Sequence, residues 1–180
     1  MKKQIYLDLD DTLADTTKKV TQDFNVDSFS IHNKGLILKN LYSVFKVWNR
    51  IKNNHEFWET IPLKKDALTI YEKSLKITSE IHILTALPTF FYSKDTAHFN
   101  LAAQAKRNWV NSHFPNIPQE NIHVVYAKEK HLIIGANPTR YILVDDSPKN
   151  ISNWTNAGGV GILVEPNSEK HLFKLTALIH

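Results

Sequence analysis

Short apolar runs recur along this chain, separated by longer stretches in which apolar residues return every three or four positions. Runs of four or five apolar residues are typical of strands buried on both faces of a parallel sheet, and the stretches between them are typical of amphipathic helices. Strands that alternate with helices predict an α/β fold with a parallel sheet. The five predicted strands cover residues 4–8, 81–84, 122–125, 141–144 and 160–164.

One interval interrupts this alternation. No strand pattern occurs between Asp15 and Glu80, although helical patterns are frequent there. The interval follows an acidic cluster, so its helices would lie over the carboxyl ends of the strands, where ligands bind in open α/β folds. We therefore interpret residues 15–78 as an inserted helical cap and residues 1–14 and 79–180 as the α/β core. An ordinary helical layer packed on the sheet is the alternative.

The composition narrows the class of protein. Of 180 residues, 42% are hydrophobic and 22% charged, which is typical of a soluble globular protein. No apolar run is long enough for a membrane span, and no secretory signal pattern is present, so we expect a cytoplasmic protein without a membrane partner. The absence of cysteine excludes disulfides, thiolate metal sites and a cysteine nucleophile. Only five glycines occur, and they form no P-loop or dinucleotide-binding pattern.

The charge of the chain points to anionic ligands. The net charge is +4, but the lysines and arginines are spread along the sequence instead of forming a block. A mild positive field favours a small anion, whereas a stable nucleic-acid partner would need a concentrated basic stripe. We therefore expect a small anionic ligand and no stable nucleic-acid partner.

Two aspartates, Asp8 and Asp10, lie at the end of the first predicted strand. Because side chains alternate along a strand, both carboxylates point to the same side and can converge on one site. Like charges held this close raise each other's pKa and require a counter-ion. An aspartate is a competent nucleophile toward phosphorus, and a second one can protonate the leaving oxygen and then activate water. An acidic turn or a helix cap at Asp11-Thr12 is the alternative interpretation.

A second acidic pair, Asp145 and Asp146, ends the fourth predicted strand. If the first and fourth strands are neighbours, the two acidic ends meet and offer the hard oxygen ligands that suit Mg²⁺. Zinc would favour histidine or cysteine ligands. Capping of the helix that follows Ser147-Pro148 is the alternative role for one member of the pair.

Groups that suit a bound phosphate occur at three further places. Thr85 ends the second predicted strand, and its hydroxyl can donate to a phosphoryl oxygen, although strand propensity alone also explains a threonine there. Lys128 and Lys130 follow the third strand, and Lys106 lies on the preceding helix. A lysine binds phosphate as a point charge and balances nearby carboxylates. A solvated surface position is the alternative for each lysine.

Taken in chain order, these features resemble the four signature motifs of the haloacid dehalogenase (HAD) superfamily of phosphohydrolases. The Asp-x-Asp-x-Thr pattern matches residues 8–12, the strand-end threonine matches Thr85, the lysine matches Lys130 or Lys128, and the acidic pair matches residues 145–146. The resemblance covers nearly the whole chain. It implies a three-layer Rossmann-like parallel sheet, the HAD-like fold, with a small helical cap inserted after the first motif.

Within the superfamily the chain is most similar to the small 5′(3′)-deoxyribonucleotidases. Four segments carry this narrower resemblance, at residues 57–62, 106–110, 128–131 and 142–148. The resemblance implies a Mg²⁺-dependent phosphomonoesterase that removes phosphate from nucleoside monophosphates through a phospho-aspartate intermediate.

The resemblance also implies roles for the acidic residues. Asp8 would attack phosphorus, and Asp10 would act as acid and then as base. Mg²⁺ would be held by the Asp8 carboxylate, the Asp10 carbonyl and one or both of Asp145 and Asp146.

Further residues would bind the substrate. Thr85 would bind a phosphoryl oxygen, and Lys130 would balance the charge near Asp8. Phe24, Phe57 and Trp58 in the predicted cap could stack on a base, although aromatic residues on helices also serve as core. The implied substrate-binding residues are Ala86, Lys106, Lys128, Phe57 and Trp58.

Two alternatives to a nucleotidase remain open at this point. A HAD phosphatase could act on a sugar phosphate or on the phosphate terminus of a nucleic acid, and a flat stacking wall in the cap would favour a base over a sugar. A signalling receiver domain also combines aspartates, a threonine, a lysine and Mg²⁺ on a parallel sheet. In receivers, however, the acidic pair lies on the first strand, whereas here a pair comes late in the chain.

Overall fold

Five strands form one parallel sheet in a computed structural model of the chain, which describes residues 2–26 and 38–179, with side chains for residues 2–26 and 45–179. The order in the sheet is β3-β2-β1-β4-β5. This confirms the predicted α/β fold with a three-layer, Rossmann-like parallel sheet. The strands are β1 Gln4–Leu7, β2 Ile81–Leu87, β3 Ile122–Tyr126, β4 Tyr141–Asp145 and β5 Val160–Leu163.

Helices connect the strands, and their starts agree with capping rules. Asp15 caps the first helix by accepting a hydrogen bond from the Lys18 amide at 3.2 Å. Ser147 caps the helix after β4, and Pro148 occupies its first position. The helices among the described residues are α1 Thr16–Phe24, α2 Leu38–Lys52, α3 Glu56–Glu59, α4 Ala67–Ile77, α5 Thr89–Tyr92, α6 Thr96–His113, α7 Pro148–Asn156 and α8 Lys170–Ala177. None of these helices is both long and apolar enough to cross a membrane.

The central strand β1 pairs with β2 on one side and with β4 on the other. Leu7 lies opposite Val144, and the Asp8 amide donates to the Val144 carbonyl at 2.9 Å. The two acidic strand ends therefore meet at the carboxyl edge of the sheet, as the sequence predicted for neighbouring first and fourth strands. Receiver domains have the strand order 2-1-3-4-5, so the observed order also separates this chain from them.

Strand β2 is longer than the sequence predicted. The pattern ended at Leu84, but pairing with β3 continues to Leu87, which lies opposite Tyr126. Pairing of β2 with β1 stops earlier, at Ile83 opposite Leu7. The last residues of β2, after Ile83, therefore run beside the segment that follows β1. Thr85 lies within the strand, not at its end, and beside the acidic segment.

The two faces of the sheet bury apolar side chains to different extents. On one face, Ile5, Leu7 and Ile83 belong to the main core and are fully buried. On the other face, Tyr6 and Trp154 belong to a smaller cluster under α7. The sheet is thus covered by helices on both faces, which fixes the strand ends that carry the polar residues.

The helices of the predicted cap pack in two different places. Helix α4 packs against the C-terminal helix α8, where His171 contacts the Asp66 carboxylate at 2.8 Å and Lys73 donates to Thr176 at 2.7 Å. Helices α1 and α2 instead line the carboxyl edge of the sheet. The division at residues 15–78 stays a prediction, and part of it, residues 27–37, lies outside the described residues.

Candidate active site

A tight turn follows β1 and sets the direction of its aspartates. The Leu9 carbonyl accepts hydrogen bonds from the amides of Leu13 at 2.9 Å and Ala14 at 2.8 Å. Asp11 adopts a left-handed backbone with φ 56°. Its carboxylate accepts from the Thr17 amide at 2.8 Å, which ties the turn to the start of α1. The chain therefore reverses direction directly after the acidic segment and leaves the carboxylates at the edge of the sheet.

Lys130 lies between the two acidic strand ends. Its ammonium donates to Asp8 Oδ1 at 2.5 Å and to Asp145 Oδ2 at 2.7 Å, and all three side chains are buried. Burial acts to lower the pKa of Lys130, but the charges of Asp145 and Asp8 outweigh it and raise the pKa above its ordinary value. Lys130 is therefore a fixed positive charge, and it occupies the charge-balancing position for which the sequence left Lys128 as the alternative.

The two members of the second acidic pair differ in their contacts. The Asp145 carboxylate accepts from Lys130, from the Ser147 amide at 2.8 Å and from the Asn150 side chain at 3.0 and 3.1 Å. No hydrogen bond to the Asp146 carboxylate is present among the described residues. Asp145 is thus occupied by the protein, whereas Asp146 has oxygens available for a ligand.

The acidic residues form a group that fits a hard cation. Asp8, Asp145 and Asp146 each offer an oxygen within 4.8 Å of the others. Burial raises the pKa of Asp8 well above its ordinary value, with Lys130 opposing and the nearby aspartates adding to the effect. Burial and the charge of Asp145 also raise the pKa of Asp146 to about 7. A divalent cation would offset this repulsion, and carboxylate oxygens are the ligands that Mg²⁺ prefers.

Asp10 belongs to a second lysine-centred group. Its Oδ2 atom accepts from Lys106 at 2.5 Å and from Thr85 at 3.2 Å, and Lys106 also donates to Thr85 Oγ1 at 2.9 Å. Thr16 donates to Oδ1 at 3.0 Å. The Lys106 ammonium lies 4.0 Å from the centre of the Trp58 ring, which is a cation–π contact. This arrangement places a hydroxyl and a cation beside the Asp10 carboxylate.

A cavity of about 230 Å³ opens beside these groups. Asp10, Asp11 and Asp146 contribute its acidic side, together with Thr16 and Thr17 of α1. The remaining wall is apolar, and it is formed by Val20, Val47, Trp48, Ile51, Ala86, Pro88 and Ala127. The predicted substrate-binding residue Ala86 therefore faces the same space as the aspartates.

The other predicted substrate contacts lie in different surroundings. Phe57 and Trp58 are each 1% exposed, and Phe57 packs on Trp58 and Phe24. None of the three lines the cavity, although Trp58 reaches the site through Lys106. Lys128 is exposed, in contrast to the buried Lys130.

Several residues of the site were missed from the sequence. Thr16 and Asn150 contact the aspartates, and both lie in the first turns of helices that begin next to an acidic segment. That position is a signal which could have found them. Trp48 lines the cavity from α2, but its helical spacing is the same as that of a core residue.

Comparison with solved structures places the fold among HAD hydrolases. A HAD family hydrolase from Deinococcus radiodurans, solved with bound phosphate and sodium, matches with a TM-score of 0.51 and 12% identity over 97% of this chain and 88% of that chain. A haloacid dehalogenase-like hydrolase from Xanthomonas campestris gives a TM-score of 0.53 at 11% identity, over 98% of this chain and 91% of that chain. A HAD hydrolase from Entamoeba histolytica gives 0.52 at 12% identity, over 99% of each chain.

The family of this chain follows from its sequence. The family model described as 5′ nucleotidase, deoxy (pyrimidine), cytosolic type C protein matches residues 2–177, so the chain belongs to that family. No curated protein matches the chain. The fold and the family together make this chain a hydrolase of phosphate monoesters, and the signalling receiver interpretation is excluded.

The buried position of Lys130 gives a prediction about stability. Lys130→Met leaves two buried carboxylates without their counter-charge, so it should lower the free energy of unfolding by about 3 kcal/mol. Lys128→Met, two positions away and exposed, should change it by less than about 0.5 kcal/mol. Urea unfolding followed by circular dichroism in the presence of EDTA compares the two, because no cation can then replace the ammonium. Equal stability of the two variants would refute the counter-charge role.

Proposed function

We propose that this chain is a Mg²⁺-dependent nucleotidase that removes phosphate from nucleoside monophosphates through a phospho-aspartate at Asp8. The observation that carries the proposal is the position of Asp10 and Asp146 at one end of a cavity whose remaining wall is apolar. Asp10 pairs with Lys106, and Asp146 lies beside Asp8 and Asp145, which pair with Lys130. The family to which the chain belongs supports a nucleotide as substrate. The Deinococcus hydrolase of similar fold was solved with bound phosphate, which supports phosphate as part of the ligand.

The first step forms a bond between Asp8 and phosphorus. Lys130 donates to Oδ1 of Asp8, so the other carboxylate oxygen remains for attack. As that bond forms, the bond from phosphorus to the ester oxygen breaks, and protonated Asp10 gives its proton to the leaving oxygen. Thr85 and Lys106 lie next to Asp10, where a hydroxyl and an ammonium can hold phosphoryl oxygens.

The second step returns Asp8 to its free state. Asp10, now ionised, takes a proton from a water molecule, which attacks phosphorus and breaks the bond to the Asp8 oxygen. Inorganic phosphate leaves, and Asp10 again carries the proton for the next cycle. Lys106 and Thr16 hold the two oxygens of Asp10 in place in both steps.

The metal ligands in this proposal are Asp8 and Asp146, with the Asp10 carbonyl as a third. When bound there, Mg²⁺ supplies positive charge that binds the phosphoryl group and stabilises the charge that develops on it. Asp145 positions Lys130 and the start of α7, because its oxygens are already occupied by hydrogen bonds.

The cavity wall favours a nucleotide over a sugar phosphate. Val20, Val47, Trp48, Ile51 and Pro88 offer apolar surface and one aromatic ring that suits a flat base. A sugar would need hydrogen-bonding groups for each hydroxyl, which this wall does not offer. Trp48, not the predicted Phe57 and Trp58, is therefore the stacking residue in our proposal.

We assign the cap role to α1 and α2, which line the cavity, and we place the division from the core before α4.

We also propose a cytoplasmic location, in agreement with the cytosolic name of the family and with a chain that contains no cysteine.

Phosphate release from a panel of deoxynucleotides, ribonucleotides and sugar phosphates tests the proposed activity. We expect release from nucleoside monophosphates in the presence of Mg²⁺. Asp8→Asn should reduce the rate to background because the nucleophile is lost, and Asp10→Asn should reduce it at least about a hundredfold because the acid and base is lost. Activity that survives Asp8→Asn would contradict the covalent mechanism, and activity confined to sugar phosphates would contradict the nucleotide substrate.

Metal binding can be tested without turnover. Asp146→Asn removes a carboxylate with oxygens available for a cation, so it should weaken Mg²⁺ binding at least about tenfold. The readout is the rise in Tm as Mg²⁺ is added, because a ligand that binds the folded state stabilises it. Asp15→Asn is the matched control, since asparagine caps a helix as well as aspartate does. An unchanged Mg²⁺ response in Asp146→Asn would contradict this assignment.

The aromatic wall gives a prediction about specificity. Trp48→Ala should raise KM for nucleoside monophosphates about tenfold, because stacking on a base is lost. Hydrolysis of ribose 5-phosphate, which has no base to stack, should change less than twofold. Steady-state kinetics on both substrates make the comparison. Equal effects on the two would show that Trp48 supports the fold of the site instead of binding the base.

A further inference from the structure

Three phenylalanines form a surface cluster, Phe45, Phe90 and Phe91, which we call the aromatic strip. Phe90 is 79% exposed and Phe45 is 44% exposed. Their ring centres lie 6.2 Å apart, and Phe91 lies 5.1 Å from Phe90 and 5.5 Å from Phe45. Exposed aromatic side chains in mutual contact are costly in water, and such a patch often marks a binding surface.

The aromatic strip is continuous with the wall of the active-site cavity. Phe91 stacks on Trp48, with ring centres 5.9 Å apart and planes inclined by 26°. Trp48 lines the cavity, and so does Pro88, two positions before Phe90 in the chain. A run of rings therefore leads from the site of the first base to solvent, with Phe91 as the connecting ring.

The strip is held in place by an ion pair between its two segments of the chain. Lys52 of α2 pairs with Asp95 at 2.7 Å, so α2 is fastened to the segment after β2 and the rings from both sides stay together. Lys94, four residues after Phe90 in the chain, is exposed. Exposed rings and a lysine in the same segment suit single-stranded nucleic acid, because rings stack on bases and a lysine attracts phosphate.

We propose that the aromatic strip is a stacking platform for a second nucleotide, so that the terminal phosphate of a short single-stranded oligonucleotide is also a substrate of this site. The inference rests on the proposed nucleotidase function and extends its substrate class. The terminal nucleotide occupies the cavity against Trp48, and the next base stacks on the exposed rings of Phe90 and Phe45. Stacking of this kind does not depend on base identity, because every base has a flat face.

The test compares mononucleotides with dinucleotides. The substrates are thymidine monophosphate and thymidine dinucleotides, each with its terminal phosphate at the 5′ or the 3′ end. For at least one end we expect kcat/KM of the dinucleotide to exceed that of the mononucleotide about tenfold. In the double variant Phe45→Ala/Phe90→Ala this ratio should fall to about one. Phe173→Ala, which removes a 70% exposed phenylalanine of α8, is the matched control and should keep the ratio.

Two results would overturn the inference while leaving the proposed function intact. One is hydrolysis of mononucleotides with no advantage for either dinucleotide. The other is a dinucleotide advantage that the double variant keeps, in which case the strip has a different occupant, such as a protein partner. Hydrolysis of ribose 5-phosphate with no activity on any nucleotide would instead overturn the proposed function and this inference with it. The Tm of each variant, compared with wild type, verifies that it is folded.

Discussion

The ion pairs of the buried Lys130 with Asp8 and Asp145 are the interaction on which the rest of the site depends. Pairing of β1 with β4 brings two acidic strand ends together, and without a positive charge their repulsion would oppose that pairing. The lysine comes from the short turn after β3, so three separate segments of the chain meet at one ammonium. Lys130 holds one oxygen of Asp8. The contacts that stabilise this edge of the sheet therefore also orient the proposed nucleophile.

A second buried lysine pairs with a different aspartate of the site. Lys106 is fully buried on α6 and contacts Asp10, Thr85 and the Trp58 ring. Lys130 neutralises Asp8, the nucleophile in our proposal, and Asp145, whereas Lys106 pairs with Asp10, the acid and base in our proposal. Two adjacent acidic groups thus receive different surroundings, which is a common way to give carboxylates different roles.

The strands and the acidic groups could be predicted from the sequence because both leave local signals. Apolar runs that end in aspartate give the strand and the chemistry together, as at Asp8 and Asp145. The remaining features depend on tertiary contacts. Thr85 lies inside β2 because pairing with β3 lengthens the strand. Lys130, and not Lys128, pairs with the aspartates because the turn after β3 buries only Lys130. Trp48 was missed because a ring that lines a cavity has the same helical spacing as a ring in the core.

The central claim is that Asp8 forms a covalent bond to the phosphoryl group, and peptide mass spectrometry of acid-quenched turnover mixtures tests it most directly. We expect the peptide containing Asp8 to carry a phosphoryl group during turnover of a nucleoside monophosphate. The modification should be on Asp8 and not on Asp10, and it should disappear once the substrate is exhausted. Sustained phosphate release with no phosphoryl group on Asp8 at any time point would contradict the account.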